Sequence, residues 1–419
     1  MFKIKKQINV ELFIILTYII IDLVQVLVII NTHILVGDFF PWRVQISNIE
    51  IILLFLLQCL LYFFIYKIYI SFIKKKRLIR SSLNLSMPIY RFIDYLFMLL
   101  LLLNIIFEIA HITVPAGKYE QSSISFVIHL IDIGVFFSVY YFLNRNKNNK
   151  IIYATNIIIY IFLQLAKGWS GIFLQIFLYE LYFRSKGKIN LKFILILPLL
   201  FVVGTFLYQY IYPLKIAIRT GEDIFNIKPI TFDISASLLV GRLSMMGNLI
   251  AIFQYKNDIL QLLNNMYPSN FEILKFIRVL IPSFISIELF PYNIFLYGTL
   301  GIILWLFKLG STFMPSNEIY GFGPTLLGTS YLLLLRNPIE FILFYLFTVF
   351  VVIYIKILLD SFGNKDIYFP FFLNLVYFVH EAGETGMAFA GEFFSLTSLF
   401  FVILLAKAIL YITKSKARI

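Results

Sequence analysis

The sequence predicts an all-α, polytopic integral membrane protein with about ten to twelve transmembrane helices, organised as one transmembrane domain over residues 1–419. Three observations lead there. The 419-residue chain is 61% hydrophobic with a mean hydropathy of +0.90. Its apolar runs recur at close to the roughly twenty residues that carry a helix through a bilayer. Its basic residues gather at the ends of those runs, as in proteins whose orientation is set by Lys and Arg. In a soluble protein the formal charge of +13 would suggest nucleic acid; here it is a topology signal, and no nucleic-acid partner is expected.

The first apolar run, 12–30, follows Lys3, Lys5 and Lys6 with no small-residue cleavage site, so it reads as a retained span and not a signal peptide. The second, 48–70, carries Cys59, the only cysteine, which leaves no intramolecular disulfide or cysteine metal site. Spans follow at 92–110, closing on Glu108 and His111, and at 124–143, where His129 and Asp132 lie one turn apart and are expected to satisfy each other or a neighbouring helix. The short spans 151–166 and 169–183 meet at Gly168-Trp169-Ser170-Gly171, either a tight hairpin or a broken helix. The remaining spans are 193–211, 338–359, 367–380 and 393–412. Asp22 and Glu180 are costly placements within such runs and keep a proton-coupled transporter in view.

With a cytoplasmic N-terminus, the cytoplasmic ends and loops hold 23 of the 35 Lys and Arg residues, and the C-terminus is cytoplasmic as well. The exception is residues 211–337, a long outer segment of amphipathic, half-buried and re-entrant helices. Within it, Ser235–Tyr255 and Phe271–Leu289 read as half-buried helices and Ile294–Leu309 as a re-entrant or additional span. Nine basic residues lie there, including Arg219, Arg242 and Arg278. Cations outside the membrane call for anionic partners. Arg242 lies beside a small, polar stripe of Ser237, Gly241, Ser244 and Asn248 at helical spacing, which suits close packing and a guanidinium fork on phosphate oxygens. Snorkelling to lipid headgroups is the alternative for all three arginines.

Two other strings carry candidate chemistry. In Tyr320-Gly321-Phe322-Gly323-Pro324-Thr325, running on to Tyr331, glycines precede a proline at a helix start whose free N–H groups suit an anion. A plain loop-to-span corner is the alternative. In His380-Glu381-Ala382-Gly383-Glu384, a histidine and two carboxylates are expected in an outer loop at the membrane surface, where a base for a sugar hydroxyl would act. A solvated loop is the other reading. The string lacks the second histidine of the zinc-protease pattern. There is no phosphate loop, dinucleotide fingerprint, nucleophile elbow or Asp-x-Asp metal pair, so no cofactor and no metal are expected.

The strings Ala166-Lys167-Gly168-Trp169-Ser170-Gly171, Val240-Gly241-Arg242-Leu243-Ser244 and Gly323-Pro324-Thr325-Leu326-Leu327-Gly328, in this order on such a chain, resemble bacterial oligosaccharide repeat-unit polymerases, the Wzy family of O-antigen and capsule assembly. The resemblance implies a GT-C-like, inverting glycosyltransferase at the outer face of the bacterial inner membrane. It would join undecaprenyl-diphosphate-linked repeat units into a lipopolysaccharide O-antigen or capsular polysaccharide, with a flippase and a chain-length co-polymerase as partners besides membrane lipids. The arginine–spacer–glycine motifs of some members have no convincing pair here. Arg242 and Lys167 carry over best as diphosphate-binding residues, with Arg219 and Arg278 beside them. His380, Glu381 and Glu384 are candidates for the base, and Trp169, Ser244, Tyr320, Thr325 and Tyr331 for sugar contacts. A lipid-linked oligosaccharide flippase and an O-antigen ligase are the rival readings.

Overall fold

The computed structural model describes residues 7–79, 83, 85–109, 132–145, 150–167, 169, 171–220, 227–266, 300–310 and 322–416. The elements are β1 (Gln7–Asn9), α1 (Val10–Thr32), α2 (Asn48–Ile68, extended by a π turn over Tyr69–Lys74), α3 (Met87–Ile109), α4 (Ile133–Asn144), α5 (Lys150–Ala166), α6 (Ile172–Arg184), β2 (Lys188–Asn190) and α7 (Leu197–Thr220). After these come α8 (Phe232–Leu243), α9 (Met246–Gln254), α10 (Lys256–Met266), α11 (Leu300–Leu309), α12 (Leu326–Arg336), α13 (Pro338–Phe362), α14 (Tyr368–Tyr377, followed by a π turn over Phe378–Ala382) and α15 (Thr385–Lys416).

Among the described residues six helices are long and apolar enough to cross a membrane: α1, α2 with its extension, α3, α7, α13 and α15. The protein is therefore a helical, multi-pass membrane protein. Large apolar side chains such as Leu53, Leu60 and Phe64 of α2 point outward, as expected of a surface solvated by lipid. The helix ends follow local chemistry. Ser47 and Glu50 form a capping box at the start of α2, and Asn337 accepts the Ile339 N–H with Pro338 at the first position of α13.

Several elements differ from expectation. The fourth span is described only from Ile133, and His129 and His111 lie outside the described residues. Asp132 is the N-cap of α4, its carboxylate accepting from Gly134 and Val135 N–H at 2.7 and 3.2 Å. Its charge is thus spent on free backbone donors at a helix start. Glu180 lies in an ion pair with Arg145 at 2.5 Å and with Arg184 at 2.8 Å. α7 runs on to Thr220 and takes up the beginning of the 211–337 segment. Of the expected re-entrant stretch only α11 is described, ten residues with Leu300, Ile303, Leu304 and Leu306 fully buried. Phe271–Leu289 lies outside the described residues.

The basic ends meet on one face. β1 pairs antiparallel with β2, Gln7 opposite Asn190, so the start of α1 is tied to the α6–α7 connection. Lys74 pairs with Glu11 at 2.5 Å, Asn364 donates to the Phe142 carbonyl at 3.0 Å, and Lys407 donates to the Leu83 carbonyl. The ends of α1, α2, α4, α6, α13 and α15 that carry the basic clusters therefore share one side.

At that face Lys356 and Asp360, both fully buried, form an ion pair one turn apart on α13. The Tyr368 hydroxyl also donates to Asp360, and Asp360 Oδ2 accepts the Leu78 N–H at 2.7 Å. Asp360→Ala strands a buried ammonium and is expected to cost about 3–5 kcal/mol. The double change Lys356→Met with Asp360→Leu should recover part of that loss, as read by thermal melting of the detergent-solubilised protein.

Candidate functional site

The site begins on α1. Tyr18, Asp22 and Gln25 lie at helical spacing on one face, and that face meets α2, the α8–α9 break and the π turn after α14. At the break, α8 and α9 bend by 63°. The single small, polar stripe expected across 237–248 is therefore divided between two helices. Gln25 explains why. Its amide nitrogen donates to the Ser244 carbonyl at 3.3 Å, while its Oε1 accepts from Ser244 Oγ at 2.7 Å and from the Gly247 N–H at 3.0 Å. A side chain thus takes over backbone groups that the interrupted helix gives up, the condition for breaking a helix inside a membrane. Gly247 allows it: a Cβ there would overlap the Val36 carbonyl.

Below the break lies an ionisable chain. The Tyr62 hydroxyl of α2 donates to Asp22 Oδ2 at 3.0 Å and lies 2.6 Å from His380 Nδ1. The Tyr18 ring packs on the imidazole with centroids 4.4 Å apart, and Gln58 donates to the Val379 carbonyl at 3.3 Å. His380 and Asp22 are only 3% and 1% exposed. The His380–Glu384 stretch is therefore no surface loop; it is a buried π turn leading into α15. Asp22 is ten residues from the Thr32 end of α1 and Tyr62 fourteen from the Asn48 end of α2. At 1.5 Å per residue this sets the chain about 15–20 Å below those ends.

The start of α12 closes the other wall. Asn248 donates to the Gly323 carbonyl at 3.1 Å and to Asp38 at 2.7 Å. A Cβ on Gly323 would crowd Met245 Sδ at 2.9 Å and Glu381 Cγ at 3.0 Å. Thr325 caps α12 through Oγ1, which accepts the Gly328 N–H at 3.0 Å. It holds a φ of 55°, a strained value for a β-branched residue that only a well-determined surrounding maintains. That surrounding includes the Glu381 carbonyl, which accepts the Thr325 N–H at 3.4 Å, and Gly383, whose missing Cβ leaves room for the Thr325 carbonyl. Glu384 is fully buried, and its carboxylate accepts the Leu300 N–H at the start of α11.

The strings around Ser244, Thr325 and His380, far apart in sequence, thus form one neighbourhood. Other candidate residues fall elsewhere. Lys167 donates to Asn104 at 3.2 Å, between α5 and α3. Trp169 is exposed. Tyr331 lies flat on Phe253, with centroids 3.9 Å apart and planes 6° from parallel, which occupies one face of its ring. Arg219 and Arg242 stand on α7 and α8, their side chains outside what is described; Arg278 and Tyr320 lie outside the described residues. Tyr18, Gln25, Gln58 and Tyr62 belong to the site although none is a candidate from residue type alone. A polar residue recurring every three to four positions on one face of an apolar span is the signal that would have found them. An aromatic cluster of Phe39, Trp42, Phe307 and Phe322, with centroids 5.4–6.4 Å apart, packs beside Asp38.

Among the described residues no group of three or more His, Cys, Asp or Glu side chains is placed to hold a metal ion. Compared with protein-family models, with characterised proteins and with solved structures, the chain matches none. Fold and site together define a class: a polytopic helical membrane protein with a buried polar seam built on broken and strained helix ends. Such groups inside a membrane are costly and mark function.

Proposed function

We propose that the chain is a polymerase of lipid-linked oligosaccharides, a metal-independent inverting glycosyltransferase of the bacterial cytoplasmic membrane. It transfers a growing glycan from its undecaprenyl diphosphate to the terminal sugar hydroxyl of an incoming repeat unit. The observation that carries the reading is the convergence of the Gly241–Asn248, Gly323–Gly328 and His380–Glu384 strings on one buried seam. Two of these are strings on which the resemblance to repeat-unit polymerases rests, and the third supplies a base. The face that gathers the basic helix ends is the cytoplasmic one by the Lys and Arg bias, with both termini on it. The α8–α9 break and the Asp38 contact then lie toward the opposite, outer side, where repeat units delivered by a flippase would be joined under a chain-length co-polymerase.

In this mechanism Arg242, in the last turn of α8 beside the break, stabilises the departing diphosphate. Preorganised charge of this kind is commonly the largest catalytic term. Arg242→Lys keeps the charge and loses the two-pronged fork, so polymerisation should fall by about 100-fold. The measurement is polymer length and yield from a synthetic undecaprenyl-diphosphate repeat unit with purified protein in chelator. Wild-type protein that makes no polymer in that assay overturns the function. Unchanged yield in the variant overturns the role of Arg242.

A second reading, a lipid-linked oligosaccharide flippase, is favoured by the depth of Asp22, Tyr62 and His380, since transporters build sites from interrupted helices near the midplane. A deletion strain separates the two. Single repeat units still reaching the outer surface point to a polymerase, and their absence points to a flippase.

A further inference from the structure

We propose that Tyr62 and Asp22 are positioning residues that make His380, rather than Glu381 or Glu384, the base for the acceptor hydroxyl; the proposal rests on the polymerase reading. A Tyr hydroxyl has one proton, and here it lies between a carboxylate oxygen at 3.0 Å and an imidazole nitrogen at 2.6 Å. With Asp22 ionised, its carboxylate only accepts, and the proton then points to Asp22. The Tyr62 oxygen then accepts from Nδ1–H of His380. That tautomer leaves the lone pair on Nε2, which is buried with no hydrogen-bond partner among the described residues. An imidazole held from behind through one nitrogen, with the other making no hydrogen bond among the described residues and facing the Leu243 backbone, is the arrangement by which an oriented histidine takes a proton.

The Glu384 carboxylate is otherwise engaged, accepting the Leu300 N–H, and Glu381 packs its Cγ close to where a Gly323 Cβ would stand. The groups facing the relay are Tyr18 and Asp22 from α1, Cys59 and Tyr62 from α2, Leu243 and Ser244 at the α8–α9 break, Tyr377 from α14, and Glu381 and Glu384 beside His380. In the step, the acceptor oxygen forms its bond to the anomeric carbon as the bond from that carbon to the diphosphate oxygen breaks. The electron pair leaves with the diphosphate. The acceptor's proton passes to Nε2, and the imidazolium is held by Nδ1–H on Tyr62 and, through it, by the Asp22 charge.

The test uses the purified full chain, the synthetic repeat unit and a pH series, with kcat and KM measured separately. Tyr62→Phe and Asp22→Asn, both near-isosteric, are expected to lower kcat by about 10–100-fold, as losses of an orienting partner do, with KM little changed. Asp22→Asn should also move the acid limb of the pH–rate profile to lower pH, because a negative charge that favours imidazolium is gone, and Asp22→Glu should recover part of kcat. Tyr62→Phe with wild-type kcat and an unmoved profile overturns the relay while leaving the polymerase intact. A loss that is equal at every pH and follows a matching fall in melting temperature also overturns it, since that marks a structural role. Wild-type protein that makes no polymer removes both the function and the relay.

Discussion

Replacing Gln25 with leucine is expected to destabilise the protein by about 4 kcal/mol or more. One amide serves three groups at the α8–α9 break: the Ser244 carbonyl, the Ser244 hydroxyl and the Gly247 N–H. All sit in a buried setting, Gln25 and Ser244 being 0% and 1% exposed. Each buried polar group left without a partner costs about 1–3 kcal/mol, and hydrocarbon offers no water to replace the amide. The check is the thermal melt and the monodisperse yield of the solubilised variant. Ser244→Ala removes one partner only and should cost about 1 kcal/mol. A Gln25→Leu protein that melts like wild type would mean that α1 does not hold the break open.

The second large effect is expected at Gly383. Its φ is +61°, and a Cβ there would overlap both the Thr325 carbonyl and Thr329 Oγ1. Gly383→Ala therefore carries a left-handed backbone penalty of about 1–2 kcal/mol and an overpacking cost of about 1–3 kcal/mol. Because Gly383 lies between His380 and Glu384, relief by backbone movement disturbs the seam itself. We expect a destabilisation of about 3 kcal/mol, together with loss of whatever activity the seam carries, read as polymer in cells under the proposed function. Gly171→Ala is the control: nothing among the described residues lies within 4 Å of its missing Cβ, so its melting temperature should be retained. Equal behaviour of the two variants would remove the close approach of the turn and Thr325 as a requirement.

What could be read from the chain differs from element to element. α1, α13 and α2 with its π turn run a few residues past the apolar runs that announce them, and α3 starts five residues before its run, because the hydrophobic requirement of a span is satisfied residue by residue within the segment. The 193–211 run is legible in the sequence but the helix's continuation to Thr220 is not, because Pro213, Lys215 and Arg219 end the apolar pattern while the helix runs on through them. The break at Ser244 was missed because Ser237, Gly241, Ser244 and Asn248 do fit one helix. Only the arrival of Gln25, 219 residues away in sequence, makes two. His380 was singled out for its residue type, yet its burial depends on Tyr18 and Tyr62, neither of which stands out among 27 tyrosines.

That this is a helical membrane protein, where its long apolar helices run, and which helix ends carry the basic residues and so share a side are all legible in the chain. Those properties are local: a stretch of side chains is apolar or charged whatever surrounds it. That α8 and α9 part company, and that Asp22, Tyr62 and His380 form one chain, follows from contacts between distant parts of the fold. In lipid a helix face that packs on protein and one that faces acyl chains are equally apolar, so hydrophobic pattern does not say which faces meet. Polar groups seeking partners and glycines permitting contact settle it, and both act between residues far apart in the chain.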